Sequence, residues 1–172
     1  MRKNNIYLKV LITVYGTGYK DTDGFHVLAG NRTTRTTFVE SVVAFVETYN
    51  FDGVNIHWDA PLLKDRDNHG LLIKELKEKL KPRGLLLTAS VYHSPKNLGY
   101  NHVVMYNDLD WINVECYDEK SAIERGRDRN HFESCAESWL AYSFKDKLSL
   151  GVAFFGRYYV PKNPQQEVRN VS

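Results

Sequence analysis

Asn55, His57 and Asp59 stand two residues apart in the run Phe51-Asp52-Gly53-Val54-Asn55-Ile56-His57-Trp58-Asp59. Successive side chains of a strand point to opposite faces, so these three share one face and Val54, Ile56 and Trp58 share the other. An imidazole beside a carboxylate can move a proton, hold a cation or hydrogen-bond a polar ligand. A row of polar groups on a buried strand face is costly unless the groups are paired or used. Other polar groups gather at the ends of strand-like segments: Tyr92 and His93, Tyr117 and Asp118, and Arg157. His57-x-Asp59 with His93 and Asp118 would offer mixed nitrogen and oxygen donors from three strand ends. The paired His-x-His spacing of many metal sites is absent, and neither a metal nor another cofactor is expected.

These side chains need a frame. Leu8 to Val14 is rich in β-branched residues and reads as a buried strand. Gly16 to Thr34 is polar and carries Gly16, Gly18, Gly24 and Gly30, which reads as a long loop. From Thr36 the pattern is helical, with Val39, Val42, Val43 and Val46 at spacings of three and four, and Asn50 as a stop. Pro61 ends the strand that carries His57. Asn68 is a candidate cap for a helix through Leu80, with Leu72, Leu76 and Leu80 on one stripe. Leu85 to Val91 reads as a buried strand, Pro95 to Asp108 as a looser stretch, and Asp110 to Tyr117 as a strand. A helix from about His131 to Tyr142 and a strand from Lys147 to Phe155 come next, then a proline-containing tail.

Alternating strands and helices imply an α/β fold with a parallel sheet and right-handed crossovers. No Gly-x-Gly-x-x-Gly or Gly-x4-Gly-Lys-Ser/Thr comes after any strand, which removes the usual nucleotide-binding reason for an open sheet. The polar residues sit at strand C-terminal ends, the active face of a (β/α)8 barrel.

Composition limits the partners. The chain has 172 residues, and 23 Lys+Arg against 21 Asp+Glu leave a net charge of +2. That balance excludes a strongly basic nucleic-acid binder. No run of about 18 apolar residues is present, so neither a membrane span nor a membrane partner is expected. Met1-Arg2-Lys3 followed by Ile6 to Tyr15 imitates the start of a signal peptide. Lys9 interrupts the apolar run and no small-residue cleavage site comes after it, so the strand is preferred. Glycosylation acceptor triplets occur at Asn31-Arg32-Thr33 and Asn170-Val171-Ser172. Cys116 and Cys135 are too few for a disulfide scaffold or a Cys-based zinc site, and two buried thiols are expected.

Phe51 to Pro61 resembles the signature of glycoside hydrolase family 18, the chitinases and chitinase-like proteins, Phe-Asp-Gly-x-x-x-Asp-x-Glu-x-Pro. Lys9 to Gly16 is similar to that family's third strand, which normally ends Ser-x-Gly-Gly, and Leu85 to Val91 to its fifth. Asp110 to Asp118 is similar to the sixth, normally ending Met-x-Tyr-Asp, and Leu150 to Arg157 to the seventh, normally Leu-Gly-x-Pro-x-Tyr-Gly-Arg. The resemblance covers residues 8 to 157 within one domain, residues 1–172. It implies an incomplete TIM barrel, about strands three to seven, in a chain shorter than the ~250 residues of a whole barrel.

The departures carry the functional reading. The resemblance implies that Asp59 stands where the family has the Glu that protonates the glycosidic oxygen. His57 stands where it has the Asp that orients the substrate's own N-acetyl nucleophile. Asp52 is kept and Asn55 replaces the first inner Asp. Tyr117, Asp118 and Arg157 match residues that line the sugar pocket, Phe155 replaces a Tyr there, and Glu115 replaces a Met facing the cavity. Glu115 is expected to pair with His57. What the resemblance implies is a chitinase-like protein with a degenerate site, non-catalytic or very weak, that binds chitin or N-acetylglucosamine oligosaccharides outside the cell. The alternative is a slow chitinase that uses Asp59 as its acid.

Overall fold

A computed structural model describes residues 5–17, 24–117, 129–152, 156–159 and 168–171. Its centre is a five-stranded parallel sheet of β1 (Leu11–Thr17), β2 (Gly53–Asp59), β3 (Leu86–Tyr92), β4 (Trp111–Glu115) and β5 (Leu148–Gly151). Strand order equals chain order, so each strand–helix unit lies beside the one before it. This is the connectivity of an incomplete (β/α)8 barrel, as the motif register implies. The helices are α1 (Gly24–Gly30), α2 (Arg32–Thr48), α3 (Arg66–Leu80), α4 (His102–Asp108) and α5 (Arg129–Leu140). A separate antiparallel pair, β6 (Gly156–Tyr159) and β7 (Val168–Val171), lies where the sequence reads as a tail. Among the described residues no helix is long and apolar enough to cross a membrane.

The outer face of the sheet forms the core. Val54, Ile56, Trp58, Leu87, Ala89, Val91, Ile112 and Val114 are buried against Val39, Val43 and Val46 of α2 and Leu72, Ile73 and Leu76 of α3. These are the apolar halves of the period-2 strands and the apolar stripes of the period-3.6 helices. Trp58 stacks on Phe25 with ring centroids 5.3 Å apart. Further along, His69 of α3 lies between Trp58 and Tyr100, and His102 of α4 stacks on Tyr142 at 3.8 Å.

The Phe-Asp-Gly start of the signature works as a clamp. Asp52 Oδ2 accepts from the Val10 amide at 2.7 Å, and the Asp52 carbonyl accepts from the Leu86 amide at 2.9 Å. One residue thereby fixes the register of β1 and β3 on either side of β2. At Gly53 a Cβ would lie 2.2 Å from the Leu86 carbonyl oxygen, so only glycine lets the two backbones approach.

Several expectations need correction. The stretch Gly16 to Thr34 is not one loop: it contains α1, and α2 begins at Arg32, before Thr36. Asn31 caps α2, accepting from the Thr33 amide at 2.8 Å. Two polar turns around a seven-residue helix hid it, although Phe25 and Ala29 are buried. Pro95 to Asp108 contains α4, capped by Asn101. Asn68 lies inside α3, which begins at Arg66. β1 begins and ends three residues later than Leu8 to Val14, and β5 ends at Gly151.

Cys116 and Cys135 are not free thiols but a disulfide, 19 residues apart in sequence, joining the end of β4 to α5. Cys116 continues the series of Ile112 and Val114 on the helix-covered side, and both cysteines are buried. Closing a loop of this length is worth about 3 kcal/mol. Denaturant unfolding with and without a thiol reductant is expected to show a loss of that order, and Cys116→Ser should reproduce it.

Candidate active site

The inner face of the sheet carries the polar halves of the same strands. Its lower layer centres on Asn55, which is buried. Asn55 Nδ2 donates to Ser90 Oγ at 3.0 Å and Thr13 Oγ1 at 3.3 Å. Asn55 Oδ1 accepts from Thr88 Oγ1 at 2.8 Å and Asn113 Nδ2 at 3.3 Å. Four strands are cross-linked through one amide, and its donors and acceptor all find partners, which is what a buried amide requires.

One turn of the pleat higher, toward the strand ends, is the layer of His57. Tyr15 is its register partner on β1, and the two rings meet edge-on at 4.8 Å. On the other side His57 Nε2 lies 3.4 Å from Glu115 Oε1 on β4. The Tyr117 hydroxyl donates to that same oxygen at 3.3 Å. The expected approach of His57 and Glu115 is therefore present, at ion-pair distance. It lacks hydrogen-bond geometry, because His57 Nε2 is buried with no hydrogen-bond partner among the described residues. Burial lowers the His57 pKa below its ordinary value, and the charge of Asp59 opposes this without overcoming it. At neutral pH the imidazole is neutral, so the contact with Glu115 is between a dipole and a carboxylate.

Asp59 closes β2 on the same face, in register with Thr17. Pro61 and the positive φ of Ala60, 47°, turn the chain away immediately after it. The structure thus brings Asp59, His57, Glu115 and Tyr117 to one end of one sheet face. Arg157 lies in β6, paired with Asn170 of β7. Asp118 and Phe155 lie outside the described residues. His93 turns aside past β3, where its ring sits 4.0 Å from Tyr92. Among the described residues no group of three His, Cys, Asp or Glu side chains could hold a metal ion.

Sequence reasoning missed the layer beneath. Thr13 and Tyr15, Thr88 and Ser90, and Asn113 and Glu115 show the same two-residue spacing as Asn55 and His57. Reading that period on every strand, and not only on β2, would have found the whole inner face.

The model of the family described as glycosyl hydrolases family 18 matches residues 1–170. The "Probable chitinase 2" of Drosophila melanogaster is 29% identical over 92% of this chain and 37% of its own length. The human "Chitinase-3-like protein 2" is 28% identical over 81% of this chain and 38% of its own length. The chain spans less than two-fifths of either relative. Among solved structures, catalytic domain 2 of the Ostrinia furnacalis group II chitinase superposes with a TM-score of 0.78 at 24% identity. It is covered over 49% of its length by 94% of this chain, and that structure, a mutant, is in complex with penta-N-acetylchitooctaose, (NAG)5.

Proposed function

The chain belongs to glycosyl hydrolases family 18, and from that premise we propose that its inner-face cluster binds N-acetylglucosamine oligosaccharides without hydrolysing them appreciably. The observation that carries the reading is His57, a neutral imidazole against Glu115 in the place of a carboxylate. Hydrolysis by the substrate's own acetamido group builds positive charge beside that position. An aspartate there stabilises the charge, whereas a neutral imidazole offers a dipole and an imidazolium would oppose it. Asp59 adds a second deficit. Its carboxyl is one methylene shorter than a glutamate's, and ~1 Å of misplacement can cost ~100-fold in rate.

What remains suits binding. His57, Glu115, Asp59 and the Tyr117 hydroxyl offer both donors and acceptors on one face, as sugar hydroxyls and amides require. The Ostrinia domain, which shares this fold, was solved with a chitooligosaccharide. The Cys116–Cys135 disulfide favours an oxidising compartment and hence an extracellular role.

The test uses the whole chain and chitotetraose. Binding is expected by calorimetry, with no reducing ends released over a day. Turnover that survives purification and vanishes in Asp59→Ala would overturn the non-catalytic reading in favour of a slow hydrolase that uses Asp59 as its acid.

A further inference from the structure

The triplet Asn31-Arg32-Thr33 sits at the junction of α1 and α2, and the two helices account for only half of it. Asn31 is the N-cap of α2, with extended backbone at φ −118° and ψ 132°. Its Oδ1 accepts from the Thr33 amide at 2.8 Å and from the Thr34 amide at 3.4 Å. Backbone N–H groups need an oxygen to meet them, so the cap fixes which way the side-chain amide is turned. Nδ2 makes no hydrogen bond among the described residues. Thr34 is also in use, its hydroxyl shared between the Leu28 carbonyl at 2.8 Å and the Asn31 carbonyl at 3.0 Å. The Thr33 hydroxyl, by contrast, makes no hydrogen bond among the described residues. The cap needs Asn31, and nothing in the fold needs the hydroxyl two residues on.

The junction is exposed without a break from Gly30 to Thr34. Arg35 pins it from beneath: Nε donates to Glu75 Oε1 of α3 at 2.7 Å, and Nη1 donates to the Ala29 carbonyl at 2.6 Å. The helix α1 packs on Gly16, near the end of β1, and α2 runs from there back to the start of β2. Asn31 therefore stands at the Asp59 end of the molecule, on the helical side of the sheet. A substituent on Nδ2 leaves Oδ1 in place, so the helix keeps its cap when the nitrogen is modified.

We propose that Asn31 is an acceptor for N-linked glycosylation, with Thr33 supplying the hydroxyl that the transferring enzyme reads. The donor is a lipid-pyrophosphate-linked oligosaccharide of the secretory pathway. Asn31 Nδ2 attacks C1 of the reducing-end sugar and a C1–N bond forms. The C1–O bond to the pyrophosphate breaks, the lipid pyrophosphate leaves with the electron pair, and Nδ2 gives up one proton. Transfer acts on the chain as it is translocated, so the fold has only to tolerate the product, and the cap at Asn31 does. The proposal goes beyond the saccharide-binding reading and rests on one part of it, the extracellular role.

Cell-free translation of the full chain behind a cleavable secretory leader, with endoplasmic-reticulum microsomes, tests it. Only protease-protected chains are scored. Release of the glycan by peptide N-glycosidase in heavy-oxygen water turns the carrying asparagine into a labelled aspartate, which peptide mass spectrometry locates. The label is expected at Asn31, to vanish in Thr33→Ala and to persist in Thr33→Ser. The triplet at Asn170 is read on its own peptide. Thr33→Ala should melt no lower than wild type, because its hydroxyl bonds nothing in the fold, whereas Asn31→Gln should lose both the glycan and the cap and melt lower. Protected wild-type chains with no label at Asn31, or a label there that survives Thr33→Ala, would overturn the acceptor. Protein from the natural source separates the two readings. A bare native Asn31 beside a labelled microsomal one would overturn the extracellular role and leave the acceptor standing.

Discussion

Between pH 7 and pH 5 the chain is expected to lose about 2 kcal/mol of folding stability through His69 alone, with His102 adding to the loss. His69 is 2% exposed, between Trp58 and Tyr100, and burial together with the nearby His102 pushes its pKa down to about 3. His102 is held at about 4 by burial, then by the charge of Arg66, and both its ring nitrogens are buried without hydrogen-bond partners among the described residues. Both folded values lie below the unfolded value near 6.5. The unfolded chain therefore binds more protons in that window. Stability is complete above about pH 6.5, falls as pH drops toward 4 and 3, and levels below. Urea unfolding at the two pH values measures it. His69→Asn keeps an acceptor near Nδ1 for the Asn101 amide, which now reaches it at 3.4 Å, and cannot be protonated. That variant should lose about 2 kcal/mol less than wild type on acidification. An unchanged pH dependence would show that His69 is not the group that titrates.

The second large effect is at Gly53. Gly53→Ala is expected to destabilise the fold by at least ~3 kcal/mol, the upper end for overpacking, because the obstacle at 2.2 Å is a backbone carbonyl in the adjacent strand. A flexible side chain could swing away, but the Leu86 carbonyl belongs to the β2–β3 register and cannot move without breaking it. Gly84→Ala provides the contrast. A Cβ there meets nothing within 4 Å, and only its φ of +67° is strained, so the loss should be about 1 kcal/mol. Melting temperatures of the two variants, compared with wild type, separate the cases.

Much of the frame was legible because the strands declare both faces. In β2 alternation alone assigns Val54, Ile56 and Trp58 to the core and Asn55, His57 and Asp59 to the inner face, and the burial agrees. The valine stripe of α2 was equally plain. The features that escaped were local or long-range. A helix as short as α1 leaves too little room for a period to show, and the 19-residue separation of Cys116 and Cys135 says nothing of the packing that brings them together. For the site, the motif register pointed to Asp59, His57, Glu115 and Tyr117, which do converge. Arg157 falls in β6, paired with Asn170 of β7.

The Asp52 carboxylate and the Cys116–Cys135 bond hold opposite ends of the inner face by different means. Asp52 acts at the foot of the sheet as β1, β2 and β3 zip together, needing only neighbouring amides. The bond acts at the rim, one residue before Tyr117, and needs an oxidant. Fixing the rim thus depends on the redox surroundings, whereas the register at the foot of the sheet does not. Whether the covalent tether one residue before Tyr117 is closed at equilibrium is set by the thiol–disulfide poise of its surroundings.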